Sequence, residues 1–335
     1  MVSLLEFDPK VCVLVLNWNG WEDTIKSINS TIESSYKNFF LVVCDNNSSD
    51  CSVEKIKSWA RAQSVESNHT DETHRFSLPS GEENRLIELF LIENSENLGF
   101  SGGCNVGTSF ALKNEADYVF FLNNDAIITD GTIKSLVNAS IESQASIAGA
   151  QIYNSSGSEL LYSGLRWPHE LFAIYIRPQP NTNEVFWETD GVNGCACLVR
   201  KDILELRQTE CGYFFDPDFF LYCEETDLCL YNKYNGYKSI IVRDAKCFHE
   251  VSKSSGGHGS PLSYYYYTRN RIFLAKRWTN KLFVYLFNFY YLCSRLIIVL
   301  SKLRKNSSRD SGFAIAKGLR DGYLGVKGKC SYFSK

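Results

Sequence analysis

Four short apolar runs, VCVLVL (11–16), FFLVVCD (39–45), LIELFLI (86–92) and DYVFFLNN (117–124), set the strongest limit on how this chain folds. Helical spacing fills the gaps between them. Ile25, Ile28 and Ile32 share one face of EDTIKSINSTIESSY, and Val53, Ile56 and Trp59 share one face of CSVEKIKSWA. A third helical segment, SGGCNVGTSFALKN, precedes the fourth run. Strands joined through helices pair in parallel, because only a long crossover returns the chain to the same end of a sheet. The expectation is an α/β fold built from βαβ units, without internal repeats. The polar stretch from Ala62 to Arg85, AQSVESNHTDETHRFSLPSGEENR, reads as an exposed, mobile insertion.

In an open parallel sheet, ligands collect beyond the carboxyl ends of the strands. The four runs are followed by NWNG, DNNSSD, ENSENLGFSGGCNVG and NNDA. Amides, small hydroxyls, glycines and carboxylates therefore gather at one edge, the arrangement expected of a nucleotide site. Two familiar phosphate motifs do not fit. GxGxxG would have to follow the first run, where the chain reads NWNGWED, and GxxxxGK[ST] does not occur. The glycines at 99, 102, 103 and 107 serve either a tight turn or, with Asn97, Asn105 and a helix start, phosphate or sugar hydroxyls.

A net charge of −3, from 35 basic and 38 acidic residues, gives no global field for nucleic acid. With 44% hydrophobic and 22% charged residues the chain has the composition of a globular protein, not a disordered one. Its twelve cysteines contain no CxxC, and MVSLLEFDPK has neither a basic start nor a long apolar run. No signal peptide is read, so free thiols in a reducing cytoplasm are expected. Cys195 and Cys197 flank one alanine and read as small buried strand residues, since zinc sites space their cysteines more widely.

Six segments in order, VLNWNG, VVCDNNSSD, NLGFSGGCNVG, FFLNNDA, FFLYCEETDLCLYNKYNGY and CFHEVSKSSGG, resemble a GT-A glycosyltransferase of family 2. The likeness is greatest to its rhamnosyltransferase-like branch and runs from residue 9 to 275. It implies a Rossmann-like mixed sheet flanked by helices, a nucleotide-diphosphate sugar donor, and Mg²⁺ or Mn²⁺ as cofactor. In the family, a strand ends in a DxD-type element whose carboxylate holds the cation. By motif position Asp125 is the metal ligand, and Asn123 stands where many relatives carry the first Asp. An amide in place of a carboxylate removes a formal charge that a hard cation favours. The plain alternative is that NNDA is a polar turn capping the next helix. His249 is implied to complete the coordination, through a neutral imidazole. The glycine–serine run after it, through Gly259, is implied to be a mobile loop over the diphosphate. Asp45 is implied to face the nucleobase or ribose, with Asn17, Asn97, Gly102, Gly103, Asn105, Asn123 and Asn124 around the donor. Asp50 reads instead as a helix N-cap.

Glu224, Glu225 and Asp227 crowd the start of a helix that runs to about Gly236. The helix dipole alone favours acids there. Adjacent acids preceded by aromatics also repel and desolvate one another, which raises a pKa toward the range useful for proton abstraction. The resembling enzymes carry Glu-Asp, with the Asp as base. Here the base maps to Glu225, one methylene longer, with Glu224 as its partner, and the assignment between the two stays open. Asp227 is expected to tie down backbone or a basic group. The implied chemistry is a single in-line displacement at the anomeric carbon, which inverts configuration.

Beyond the core, SYYYYTRNRIFLAKRW places Arg269 and Arg271 near the site, to reach phosphate or to pair with acids. LFVYLFNFYYLCSRLIIVL (282–300) approaches the length of a bilayer span, but Asn288 and Arg295 inside it make spanning costly. Lys276, Arg277 and Lys281 precede it, and Lys302, Arg304 and Lys305 follow. Two readings remain: a peripheral helix at the cytoplasmic face of a membrane, or one packed on the core or in a homodimer. The domain division expected is a catalytic domain over 1–260 and a helical C-terminal extension over 261–335. The functional expectation is inverting transfer from dTDP-rhamnose or a UDP-sugar to a saccharide or lipid-linked saccharide in surface polysaccharide synthesis. A sugar nucleotidyltransferase would need an early glycine-rich segment with a basic residue, unlike NWNGWEDT. A catalytically inert nucleotide-sugar-binding or scaffold protein is the other alternative, to which Asn123 and Glu225 point.

Overall fold

The computed structural model describes residues 8–70, 73–80, 85–167, 183–249, 259–304 and 308–332. The chain opens with β1 (Val11–Asn17), α1 (Trp21–Ile32), β2 (Phe39–Asp45) and α2 (Ser52–Gln63). Then come β3 (Glu66–Thr70), β4 (Thr73–Pro79), β5 (Leu86–Glu93), α3 (Gly99–Lys113), β6 (Tyr118–Asn123) and the short β7 (Ala126–Ile128). The next stretch contributes α4 (Thr132–Ser143), β8 (Ile147–Asn154), β9 (Leu160–Tyr162), β10 (Phe186–Thr189), β11 (Ala196–Arg200) and α5 (Lys201–Cys211). It continues through α6 (Glu224–Tyr234) and β12 (Ser239–His249) to the C-terminal helices α7 (Pro261–Trp278), α8 (Lys281–Leu303) and α9 (Arg309–Leu324).

One mixed sheet runs β10-β12-β8-β11-β6-β1-β2-β5-β4-β3, with β7 on β12 and β9 on β8. β1 is parallel to β2 and β6, and β2 is parallel to β5. Helices cover both faces of these strands, so their apolar runs are continuous rather than alternating. The chain steps from β1 outward to β2 and β5, then returns through α3 to β6 on the other side of β1. The strand order thus reverses between β1 and β6, which opens a crevice at their carboxyl ends.

Two expectations change. The 62–85 stretch is not simply an insertion: β3 and β4 pair antiparallel with each other, and β4 with β5, extending the sheet. Phe76 and Leu78 turn inward and are buried, while the alternate residues face outward, so an edge with one solvated face reads as polar. Residues 71–72 and 81–84 lie outside the described residues. The glycines of α3 likewise serve packing. A Cβ on Gly103 would lie 2.4 Å from Leu16, and one on Gly107 would lie 2.2 Å from Leu14. Their absence brings α3 down onto β1.

At the C-terminus, the Ser260 hydroxyl accepts the Ser263 N–H (3.1 Å) and caps α7, with Pro261 in its first turn. A Cβ on Gly318 of α9 would lie 2.6 Å from the Tyr265 carbonyl, so small residues let α9 lie close on α7. α8 buries only Phe287, Tyr291 and Val299. All twelve cysteines are free thiols, and Cys195 and Cys197 are buried, Cys197 within β11.

Candidate active site

The crevice between β1 and β6 is lined by one connected polar seam. Asn17 and Asp45 end neighbouring strands in register, and the Asn17 amide donates to Asp45 Oδ1 at 2.6 Å. The Ser48 hydroxyl and N–H also donate to Asp45, at 2.6 and 2.8 Å. These three bonds satisfy a carboxylate that is only 1% exposed. Asn17 Oδ1 accepts the Thr24 hydroxyl at 2.7 Å, and the Asn124 amide reaches Thr24 Oγ1 and the Gly20 carbonyl at 3.4 Å. The seam therefore runs from Asp45 across β1 to the NNDA turn. Asp50 is not the N-cap, which is Cys51; one residue earlier, its Oδ1 accepts the Ser52 N–H (2.9 Å) in a turn that leads into α2.

At the far end of the seam, β12 runs alongside β7 and brings His249 back to the turn. His249 Nε2 lies 2.9 Å from Asp125 Oδ1 and 3.4 Å from the Asn123 amide, although the histidine is 124 residues from Asp125. Among the described residues, no cluster of three or more His, Cys, Asp or Glu could hold a metal ion. The third donor here is an amide, and an amide carbonyl is a hard oxygen that Mg²⁺ and Mn²⁺ accept. Asn123 turns its Nδ2 toward His249, so Asp125 and His249 fit two positions of a cation site, and the Asn123 amide would have to present its oxygen to supply a third. A cleft of about 230 Å³ opens beside Asp125, lined by Asp23, Lys26, Ile127, Ser155 and Phe248. The glycine–serine run after His249 lies outside the described residues up to residue 258.

The other donor candidates are placed differently from one another. Asn97 Oδ1 accepts from the Asn46 amide (3.1 Å) and from Gly99 N–H (2.9 Å), which shapes the entry to α3. Asn105 spends both ends of its amide on Phe215, donating to its carbonyl (2.7 Å) and accepting its N–H (2.8 Å). Gly102 and Gly103 are packing positions against Leu98 and Leu16. A residue not singled out, Asn46, organises this loop: its amide also donates to Gly99 O (2.9 Å), and its Oδ1 accepts from Leu98 N–H and Asn94. It was legible only as part of DNNSSD. Of the four glycines, Gly99 alone has positive φ (+71°). A Cβ there would lie 2.3 Å from the Phe220 carbonyl, so glycine lets the loop before α6 press against α3.

That loop delivers the acid pair. Glu224 is buried and its Oε2 has no partner, whereas Glu225 is half-buried. Burial, and then the charge of Glu225, pushes the Glu224 carboxyl well up; burial also raises Glu225, partly offset by backbone N–H groups of the first turn of α6. Glu225 Cβ packs against Gly194, and the next residue, Cys195, accepts the Asn123 N–H at 2.9 Å. The segment 193–195 thus links the acid pair to the NNDA turn, a neighbour relation with no local sequence signal. Asp227 binds basic groups as expected: it accepts from Arg207, from Arg277 (2.9 and 3.0 Å) and from Trp278 Nε1 (2.7 Å). Arg269 overturns both of its readings. It is fully buried, donates to the carbonyls of Asp218, Phe219 and Gly328 and to the Asn270 side chain, and pairs with no acid among the described residues. The charge of Arg271 is felt at Cys223, next to the acid pair.

Solved structures share this architecture. A mannosyltransferase, PcManGT from Pyrobaculum calidifontis in complex with GDP-Man and Mn²⁺, superposes with a TM-score of 0.58 at 13% identity, covering 96% of this chain and 89% of that one. S. aureus TarS 1-349 in complex with UDP-GlcNAc gives 0.55 at 15% identity, covering 95% and 81%. GalNAc-T7 with UDP, GalNAc and Mn²⁺ gives 0.53 at 13% identity, covering 85% and 55%. At such identities the likeness is one of fold. No curated protein matches the chain by sequence. The model of "Glycosyl transferase family 2" matches residues 12–207, which takes in the whole seam and the NNDA turn but ends before α6 and His249. More than half of the chain lies inside that match, and this protein belongs to glycosyl transferase family 2 as a nucleotide-sugar-dependent glycosyltransferase of GT-A fold.

Proposed function

We propose that the protein transfers a sugar with inversion from a nucleoside-diphosphate donor to a saccharide or lipid-linked saccharide. The observation that carries this reading is the meeting of Asp125, His249 and Asn123 at one edge of the sheet, with Glu225 across Gly194. Asp125, His249 and Asn123 would hold Mn²⁺ or Mg²⁺, which when bound neutralises charge on the leaving diphosphate. Asp45 and Asn17, buried and bonded to each other, would hold the floor of the nucleoside site in shape, Asn124 ties the turn to α1, and Asn97 and Asn46 order the loop over α3. Glu225 accepts the proton of the attacking hydroxyl. Its partial exposure gives an acceptor access that the buried Glu224 lacks. Burial and the neighbouring Glu225 push the Glu224 carboxyl up, so that Glu224 is the member of the pair that holds its proton more readily.

The donor tried first is dTDP-rhamnose, on the order of the six motifs; UDP- and GDP-sugars follow, since UDP-GlcNAc and GDP-Man are bound in structures of this fold. Calorimetric titration with dTDP, UDP and GDP, each with and without Mn²⁺, tests the reading. One nucleotide is expected to bind tightly and only with the cation. Equal affinity with and without Mn²⁺ for all three would sink the metal assignment.

A peripheral place on an anionic membrane completes the proposal and suits a lipid-linked acceptor. The most apolar 18-residue window of Lys281–Leu303 has a mean hydropathy of 1.7, and only 17% of it is buried. Leu282, Tyr285, Phe289, Ile297 and Leu300 form one exposed stripe. The helix contains Lys281, Arg295 and Lys302 but no acid. A basic residue near an anionic bilayer gains about 1 kcal/mol. The protein is expected to float with phosphatidylglycerol vesicles and not with phosphatidylcholine alone, and F289E with I297E to abolish flotation. A stable dimer that ignores both vesicles would favour the homodimer reading.

A further inference from the structure

Five consecutive carbonyls, Asp218 to Tyr222, lead into the acid pair, and none lies in a helix or strand. All five nevertheless accept hydrogen bonds. Asp218 accepts from Arg269 Nη2 at 3.0 Å, and Phe219 accepts from Arg269 Nη2 (2.8 Å) and the Asn270 amide (3.0 Å). Phe220 accepts from Ser101 N–H (3.4 Å). Leu221 and Tyr222 accept from the Asn270 amide at 2.9 and 2.7 Å. Asn270 is itself held by Arg269, whose Nε donates to Asn270 Oδ1 at 2.9 Å, and both residues are fully buried.

The segment requires such a hold. Phe220, Tyr222 and Cys223 have φ of +62°, +67° and +75°, a region that non-glycine residues occupy only when their surroundings over-determine it. The two protons of Asn270 are shared among three carbonyls, a task that suits a primary amide. A carboxylate in its place would add an acceptor among acceptors. The same helix grips the far side of the acid pair, where Arg277 and Trp278 hold Asp227. Glu224 and Glu225 therefore lie between two anchors on α7, a helix beyond the matched family region.

We infer that Asn270, oriented by Arg269, is a positioning residue for the catalytic carboxylates, so that α7 belongs to the working site rather than to a passive extension. The inference rests on the proposal that Glu225 is the base.

The test compares N270A, N270S and N270D with K276A, a change on the same helix that removes a bond to Gly322 O on the α9 side. N270A and N270D are expected to lower kcat about 100-fold, the cost of roughly 1 Å of misplacement, with the donor KM and Mn²⁺-dependent nucleotide binding within about threefold of wild type. N270S, which keeps one donor, should recover part of the rate, and K276A should retain it. Hydrogen exchange at amides 221–224 should quicken in N270A while the central strands stay protected. Unchanged kcat and unchanged exchange in folded N270A would overturn the inference. So would parallel losses of kcat, nucleotide binding and thermal midpoint in N270S, which would mark a merely structural contact. If N270A does not fold, the N270S comparison decides. If the wild-type protein transfers no sugar, the functional proposal fails separately, and exchange at 221–224 still decides whether Asn270 holds the loop.

Discussion

Asp125→Ala is expected to abolish the Mn²⁺ dependence of nucleotide binding while leaving the sheet intact. Among the described residues of the turn, Asp125 supplies the anionic oxygen; without it His249 and Asn123 offer an imidazole and an amide, which are weak partners for a hard cation. Loss of an outer partner of a metal ligand costs about 10–100-fold in affinity, and loss of the charged ligand itself should exceed that. The expected cost in stability is small, about 1 kcal/mol for the lost bond to His249. Asn123→Asp runs the other way: a second carboxylate should strengthen cation binding before any nucleotide is present. Calorimetry with and without Mn²⁺ reads both variants. An Asp125→Ala protein that titrates like wild type would move the cation away from this turn.

Glu225→Gln is expected to stop transfer and spare nucleotide binding, with kcat down by about 10²–10⁴-fold, the usual worth of a general base. The glutamine keeps the shape against Gly194 but cannot take a proton. Burial raises the Glu225 carboxyl above the ordinary glutamate range, and the titratable groups that feel its charge include Glu224, Cys197, Cys223, Cys229 and Tyr267. The working form is the carboxylate, so kcat should rise with pH and level off, with its acidic limb above the ordinary value of about 4.3. Stability runs in the opposite sense. A folded-state pKa above the unfolded one means that the folded protein holds more protons between the two values. The contribution is present below the unfolded pKa and is lost as pH rises through the folded one. The substitution removes a half-buried carboxylate from beside Glu224, so the thermal midpoint of Glu225→Gln at neutral pH should equal or exceed that of wild type. Rapid turnover by this variant would shift the base to Glu224.

Much of this was legible in the residues themselves. The central strands read as unbroken apolar runs because helices cover both faces, and the NNDA turn stood out because polar residues directly follow such a run. The edge strands β3 and β4 were hidden by their solvated face, and only Phe76 and Leu78 betray them. The glycines of α3 left a tight turn and a ligand-facing loop both open, since sequence does not distinguish a glycine that admits a ligand from one that admits Leu14 or Leu16. Arg269 read as a partner for phosphate or for acids because nothing local announces that a buried guanidinium will serve backbone carbonyls fifty residues away.

By itself, then, the sequence determined the βαβ order, the edge of the sheet where polar groups collect, and the acid-rich start of α6, because each follows from periodicity within a short window. Only the tertiary structure decided which of those groups meet. His249 reaches Asp125 because β12 returns beside β7, Glu225 reaches the NNDA turn through Gly194 and Cys195, and α7 sets the strained loop that carries the acids. These contacts join residues far apart in the chain, and their geometry comes from strand pairing and helix packing, which no local pattern records.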